Sequence, residues 1–257
     1  MRIILTNDDG IEAEGIRILA NVLQNEHDIT VIAPDTQKSA CGHSITIYRP
    51  LTVKEYKIDG LNSKCFSIDG TPADCVKMGI NKLVDGKVDL IISGINDGLN
   101  VGTDVLYSGT VSAAIEGAIY KIPSIAVSMD RDCGKIKYET AALFIKKLLN
   151  NFDITTIGDD VVLNINVPNI DYSKIKGYKV CNLGTRIYSN IFIEKSSNDV
   201  EKVYEIQGKP TDDIIENTDV YFINNGYITI TPLHYDLTNF KLLKSVENEF
   251  KNQFSLK

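Results

Sequence analysis

The apolar residues of this chain fall in short continuous runs separated by amphipathic stretches. Residues 2–6 (RIILT) form the first run and predict a buried strand, which ends at Asn7-Asp8-Asp9-Gly10. Ile16, Leu19, Ala20 and Leu23 then follow the i, i+3, i+4, i+7 spacing of a helix. Residues 28–33 (DITVIA) predict a second strand, stopped by Pro34, which completes a β-α-β unit with a right-handed crossover. A polar loop over 35–44 follows. Residues 45–57 are β-branched and aromatic and predict an excursion from the sheet. Residues 65–68 predict a strand, and Gly70-Thr71-Pro72-Ala73-Asp74 a helix start, with Thr71 as cap, Pro72 in the first turn and Asp74 at the capping-box position. Val76, Ile80 and Leu83 continue that helix on one face.

Further along, residues 88–93 (VDLIIS) predict a strand that runs into Gly94-Ile95-Asn96-Asp97-Gly98. After Tyr107-Ser108-Gly109-Thr110, the residues Val111, Ala114, Ile115 and Ala118 predict a helix rich in small side chains. Residues 124–128 and 161–167 predict strands, with a helix between them marked by Ala141, Phe144, Ile145 and Leu148. This alternation implies an α/β fold with a doubly wound, mostly parallel sheet over residues 1–170. Beyond 170 the pattern changes. Residues 178–183, 187–193, 203–206, 220–223 and 227–231 predict antiparallel strands with polar turns, and Leu243, Val246, Phe250 and Phe254 mark a terminal amphipathic helix. Residues 171–257 thus read as a β-rich extension with a C-terminal helix, joined to the core as one structural unit.

Composition narrows the class. The chain has 257 residues, 43% hydrophobic and 24% charged, as a globular protein with its own core would. A net charge of −7 argues against a broad nucleic-acid face, yet leaves room for a small anionic substrate beside a metal. The five cysteines, Cys41, Cys65, Cys75, Cys133 and Cys181, are odd in number and lack CxxC spacing. They read as free thiols of a cytoplasmic protein. No basic leader and no apolar run of membrane-spanning length is evident.

The chemistry lies where polar residues follow strand ends, because open α/β sheets bind ligands beyond the carboxyl ends of their strands. The first strand leads to Asp8 and Asp9, the second to a loop with Ser39, His43 and Ser44, and VDLIIS to Asn96 and Asp97. Carboxylate, hydroxyl and amide oxygens suit a hard divalent cation, Mg²⁺ or Mn²⁺, rather than zinc. Each residue also has a plainer reading: NDDG as a turn with a helix cap, Ser39 as a loop residue, Asn96 as a turn stabiliser. Their joint placement favours the site. Ser108-Gly109-Thr110 opens a helix whose free N–H groups would hold phosphate, or simply caps it. A metal beside an anion-binding helix start points to phosphoryl chemistry. His43 is either a general acid or a loop hydrogen-bonder, and Glu116 either supports the site or is an ordinary helix residue. His27 reads as a surface residue at a helix end, and His234 as a strand end or hinge.

Six ordered motifs carry a resemblance that runs nearly end to end: NDDG at 7–10, APDTQKSACGHSIT at 33–46, GTPADCV at 70–76, SGINDGLN at 93–100, YSGTVSAAIEG at 107–117 and TPLHYDLT at 231–238. The chain resembles the SurE (survival protein E) family of metal-dependent nucleoside monophosphate phosphatases. The resemblance implies a Rossmann-like core and one divalent metal ion per subunit, held by Asp8, Asp9, Ser39 and Asn96. It also implies a phosphate pocket formed by Asn96, Ser108, Gly109 and Thr110. The implied reaction is hydrolysis of 5'-nucleotides, often 3'-nucleotides, with short polyphosphate a substrate of some members. A homodimer or homotetramer with an exchanged C-terminal segment is implied as well. His43 and Tyr107 are candidates for the substrate pocket, and Asp8 is the favoured proton acceptor. Many members have Ser-Gly where this chain has Ser39-Ala40. If that position needs positive φ, Ala40 is strained, or Gly42 supplies the freedom instead. Two other classes place acids after a first strand. A receiver-like module would need an aspartate after its third strand, and a haloacid-dehalogenase-like phosphatase would need Asp-x-Asp; this chain has neither.

Overall fold

The computed structural model describes residues 1–131, 135–189, 192–198 and 200–253. Cys133, Phe254 and the middle of the strand expected over 187–193 lie outside the described residues. In chain order the elements are β1 (Arg2–Thr6), α1 (Glu14–Leu23), β2 (Asp28–Pro34), β3 (Val53–Tyr56), β4 (Lys64–Ile68), α2 (Pro72–Met78), β5 (Leu90–Asp97), α3 (Gly109–Ile119), β6 (Ser124–Met129), α4 (Tyr138–Asn151) and β7 (Val162–Val167). They continue with β8 (Tyr178–Val180), β9 (Thr185–Ser189), β10 (Phe192–Ser197), β11 (Lys202–Ile206), β12 (Lys209–Asp213), α5 (Asp219–Asn224), β13 (Ile228–Leu233) and α6 (Leu243–Gln253).

Nine strands form one sheet in the order β3-β4-β2-β1-β5-β6-β7-β13-β8. Only β3–β4 and β7–β13 pair antiparallel within it. The central strands are buried on both faces, which is why β1 and β5 read as unbroken apolar runs rather than alternating ones. Ile3 and Leu5 point to the layer of α1 and α4, and Ile4 to the layer of α2 and α3. From β1 the chain winds through β2 to β4 in one direction, and from β5 through β6 to β7 in the other. The winding therefore reverses between β1 and β5, and a crevice opens there at the carboxyl ends of the strands.

The expected capping box at α2 is present: Thr71 accepts from the Asp74 N–H, and Asp74 accepts from the Thr71 N–H. Several expectations need correction. Residues 220–223 are helical, not a strand. Thr218 caps α5 by accepting from the Tyr221 N–H, and this local bond outweighs the β-branched composition. The strand expected over 178–183 spans Tyr178–Val180 and pairs parallel to β13, because it is placed by a distant strand rather than by a hairpin. Of residues 45–57 only Val53–Tyr56 is a strand, and it lies at the edge of the main sheet. The strand β12 was not expected: KPTDD is polar, contains proline and is held only by pairing with β9. His27 is half-buried just past the end of α1, with both ring nitrogens covered, and burial lowers its pKa.

The arm formed by β9–β12 and β10–β11 is fastened to the core at its base. Asp219 is fully buried at the start of α5, where its carboxylate accepts from the N–H groups of Gly102 (2.8 Å) and Gly184 (2.7 Å). Asp104, in the 3₁₀ turn Gly102–Leu106, is bonded by Tyr188 (2.7 Å) and Arg186 (3.2 Å). In the 35–44 loop both Ala40 (φ 57°) and Gly42 (φ 58°) adopt the left-handed conformation. Gly42 thus does not relieve Ala40 of it.

Two expectations follow, both read from equilibrium unfolding of the metal-free protein. Asp219→Ala strips the acceptor from three backbone N–H groups, those of Gly102, Gly184 and Val220, and should destabilise the fold by about 2–4 kcal/mol. Ala40→Gly removes a left-handed Cβ penalty of about 1–2 kcal/mol against a glycine entropy loss of about 0.5–1 kcal/mol, so it should stabilise by about 0.5–1 kcal/mol. A lower midpoint for Ala40→Gly would contradict that account.

Candidate functional site

The site is built at the turn after β1. Asn7 braces the turn with its side chain, donating to the Gly10 carbonyl (2.9 Å) and accepting from the Gly10 N–H (3.2 Å). Asp8 and Asp9 are thereby presented at the crevice between β1 and β5. The Asp8 carbonyl accepts from the Lys38 N–H (2.7 Å), which draws the 35–44 loop over the strand end. From the other side comes α3. Ser108 caps it by accepting from the Val111 N–H (3.0 Å), and Thr110 donates its hydroxyl to Asp8 Oδ1. A Cβ on Gly109 would lie 2.7 Å from the Asp8 Cβ, so only glycine lets the helix start approach this closely.

Of the other expected donors, Asp9 and Ser39 are linked to each other through Gln37, and Asn96 lies on β5 one residue before Asp97. Asp9 accepts from the Asp97 N–H (3.0 Å), because β1 and β5 are neighbours. Gln37 donates one amide nitrogen both to Asp9 Oδ1 (3.4 Å) and to the Ser39 hydroxyl (2.9 Å), so a single donor spans the carboxylate and the hydroxyl. Asn96 spends its amide nitrogen on the Gly98 carbonyl (2.7 Å), which leaves its Oδ1 as the oxygen available to a ligand. Among the described residues no three His, Cys, Asp or Glu gather into a metal cluster. A cation here would therefore rest on two carboxylates completed by hydroxyl and amide oxygens. That donor set fits Mg²⁺ or Mn²⁺, which take one or two carboxylates and several waters.

The electrostatics agree with that fit. Burial pushes Asp8 up to about 6; the Thr110 bond opposes the shift and the Asp9 charge adds to it. Burial also raises Asp9, against the Asp97 N–H and the Arg131 charge. Both acids would be eased by a nearby cation. Arg131 is one, but its guanidinium is bonded to Asp97 (2.8 Å).

The two pocket candidates are placed differently. Tyr107 is 65% exposed, immediately before the α3 cap, and its carbonyl accepts from the Gly42 N–H (3.0 Å). His43 is turned onto Glu116 (2.7 Å) rather than toward the carboxylates. Sequence reasoning missed Gln37 and Arg131. Gln37 sits inside the loop motif that carried Ser39 and was open to notice there. Arg131 lies 34 residues from Asp97 and gave no signal. A cavity of about 400 Å³ lined by Arg2, Asp28, Lys64 and Asp85 lies at the amino ends of β1, β2 and β4, the opposite end of the sheet.

The survival protein SurE family matches residues 3–190. A protein of Clostridium botulinum (strain Loch Maree / Type A3) named 5'-nucleotidase SurE is 51% identical over 251 residues, covering 97% of this chain and 99% of the relative. The 5'-nucleotidase SurE of Clostridium tetani is 49% identical over 250 residues, covering 97% of this chain and 100% of that one. The crystal structure of the SurE protein from Aquifex aeolicus superposes with a TM-score of 0.80 at 39% identity, over 97% of this chain and 99% of the other. With its family match spanning most of the sequence and these relatives aligned nearly end to end, this chain belongs to the SurE family.

Proposed function

We propose that this protein is a 5'-nucleotidase that hydrolyses nucleoside 5'-monophosphates to nucleoside and phosphate with the help of a divalent metal. The observation that carries the reading is Asp8 packed against the Gly109–Thr110 start of α3, with Asp9 beside it linked through Gln37 to Ser39 and through the Asp97 N–H to the end of β5, at the point where the sheet reverses its winding. Relatives named 5'-nucleotidase, aligned across nearly the whole chain, support it.

In this reading Asp8, Asp9, Ser39 and Asn96 hold one Mg²⁺ or Mn²⁺ ion. Such an ion, when bound, would supply charge neutralisation for the phosphate and would acidify a water. The chain's own residues do the rest. The N–H groups of Gly109 and Thr110 at the α3 start, the Ser108 hydroxyl and the second Asn96 amide N–H, the one not given to the Gly98 carbonyl, bind the phosphate oxygens, aided by the helix dipole. Asp8, packed against Gly109, accepts a proton from the attacking water. The new P–O bond forms as the ester bond to the ribose oxygen breaks, and that oxygen takes a proton from solvent water to leave as the nucleoside hydroxyl, while Asp8 returns to solvent the proton it accepted. Tyr107 offers an exposed ring beside the phosphate site for the base or sugar.

We also assign residues 171–257 to self-association. Phe240, Leu243, Val246 and Phe250 are each about half exposed or more along the C-terminal segment, and Ile187 and Phe192 are likewise exposed on the arm. A second copy of the chain is the occupant this reading favours, as a homodimer or homotetramer. No helix among the described residues is long and apolar enough to cross a membrane.

Phosphate release from a panel of 5'- and 3'-nucleoside monophosphates, with Mg²⁺, Mn²⁺ or excess EDTA, tests the activity. Release that requires a metal and stops with EDTA is expected; none from folded protein with either metal contradicts it. Asp8→Asn separates function from folding. Activity should fall at least about a hundredfold. Stability should move the other way. Because burial raises Asp8 to about 6, stability held below about pH 4 is lost as pH rises through about 6 in the metal-free protein. At pH 7 the asparagine variant should therefore be more stable by about 1–3 kcal/mol. Near-normal activity of the variant would remove Asp8 from the mechanism.

A further inference from the structure

Glu116 lies two turns along α3 from Gly109, with its side chain only 5% exposed. Its carboxylate is shared between two donors. Oε1 is 3.0 Å from the Lys77 ammonium and Oε2 is 2.7 Å from His43 Nε2. Burial alone would raise its pKa, but the bonds from His43 and Lys77 outweigh burial and hold it below the usual value. A buried carboxylate in that state keeps its partners, because losing one exposes the full desolvation penalty.

The two donors do different work. Lys77 belongs to α2 and also lies over the Tyr120 ring at 5.2 Å, so its bond to Glu116 joins two core helices. His43 belongs to the loop, four residues after Ser39. The bond requires the proton on Nε2, since Glu116 can only accept there. Between Ser39 and His43 the backbone passes through two left-handed residues, Ala40 and Gly42. Backbone bonds tie the loop to the site at Lys38–Asp8 and Gly42–Tyr107, and Thr71 donates to the Ser44 carbonyl (2.7 Å). His43 adds the side-chain anchor that reaches into α3 itself, the helix whose start faces Asp8.

We propose that His43 is a positioning residue: by engaging the buried Glu116 it locks the 38–44 loop onto α3, and so fixes the Ser39 hydroxyl relative to the carboxylates and the phosphate-binding helix start. His43 is thereby a support for the metal donors rather than the general acid. This inference rests on the reading of Ser39 as a metal donor.

The test compares His43→Ala and His43→Gln with the parent chain. Glutamine places an amide N–H close to where Nε2 stood. Three quantities are read: the Mn²⁺ dissociation constant from electron paramagnetic resonance of free Mn²⁺, the unfolding midpoint in EDTA, and kcat with KM at saturating Mn²⁺. His43→Ala should weaken Mn²⁺ binding about tenfold, the lower end of what losing a support of a metal donor does. His43→Gln should stay within about threefold of the parent. Both midpoints should shift by no more than a few degrees, and saturating Mn²⁺ should restore most of kcat, which a general acid would not allow. Parent-like Mn²⁺ affinity in His43→Ala overturns the proposal, as does an equal collapse of the midpoint in both variants. The Mn²⁺ isotherm answers even for a chain that hydrolyses no nucleotide, so this inference and the phosphatase reading fail separately.

Discussion

The arrangement depends on one constraint: two consecutive acids end a buried central strand, and a helix start is pressed against the first of them. Asp8 is 4% exposed, and Gly109 leaves no space between its own backbone and the Asp8 side chain. The fold answers these acids mainly with neutral donors: the Thr110 hydroxyl, the Asp97 N–H and the Gln37 amide. Such donors hold carboxylates in place without neutralising them. The α3 dipole adds positive potential at the same point. A cleft built in this way favours a cation next to an anion, which is the charge pattern of metal-assisted phosphate chemistry.

The sheet explains why these groups meet. β1 and β5 are separated by most of the first hundred residues but lie side by side where the winding reverses. Asp9 then meets the backbone of Asp97 directly. The loop after β2 reaches the same place through the Lys38–Asp8 bond, and α3 reaches it through Thr110. The support extends outward: the 3₁₀ turn before Tyr107 is held by Asp219 through Gly102 and by the arm through Asp104. The base of the arm is thus tied to the segment that leads into α3.

Much of this was legible in the chain because its signals are local. A run such as RIILT, a capping box at Thr71-Pro72-Ala73-Asp74 and a small-residue helix after Ser108 each fix their own element. The candidate residues could be picked out for the same reason, since Asp8 and Asp9 follow β1, Asn96 lies near the end of β5, Ser39 sits in the loop after β2 and Ser108 opens α3. What escaped depends on distant neighbours. The strand β12 exists only by pairing with β9, and β8 takes its direction from β13. Residues 220–223 look strand-like until the Thr218 cap is weighed. Arg131 acquires its place from Asp97, and His43 from Glu116, 73 residues away. Composition gives no hint of such pairings.

The central claim is that Asp8, Asp9, Ser39 and Asn96 make one metal site. The most direct measurement is a crystal structure of the protein soaked in Mn²⁺, with anomalous diffraction recorded at the manganese edge. The account predicts a single strong anomalous peak within bonding distance of oxygens from these four side chains, opposite the start of α3. A peak elsewhere, or none at that position in a crystal saturated with Mn²⁺, would contradict it.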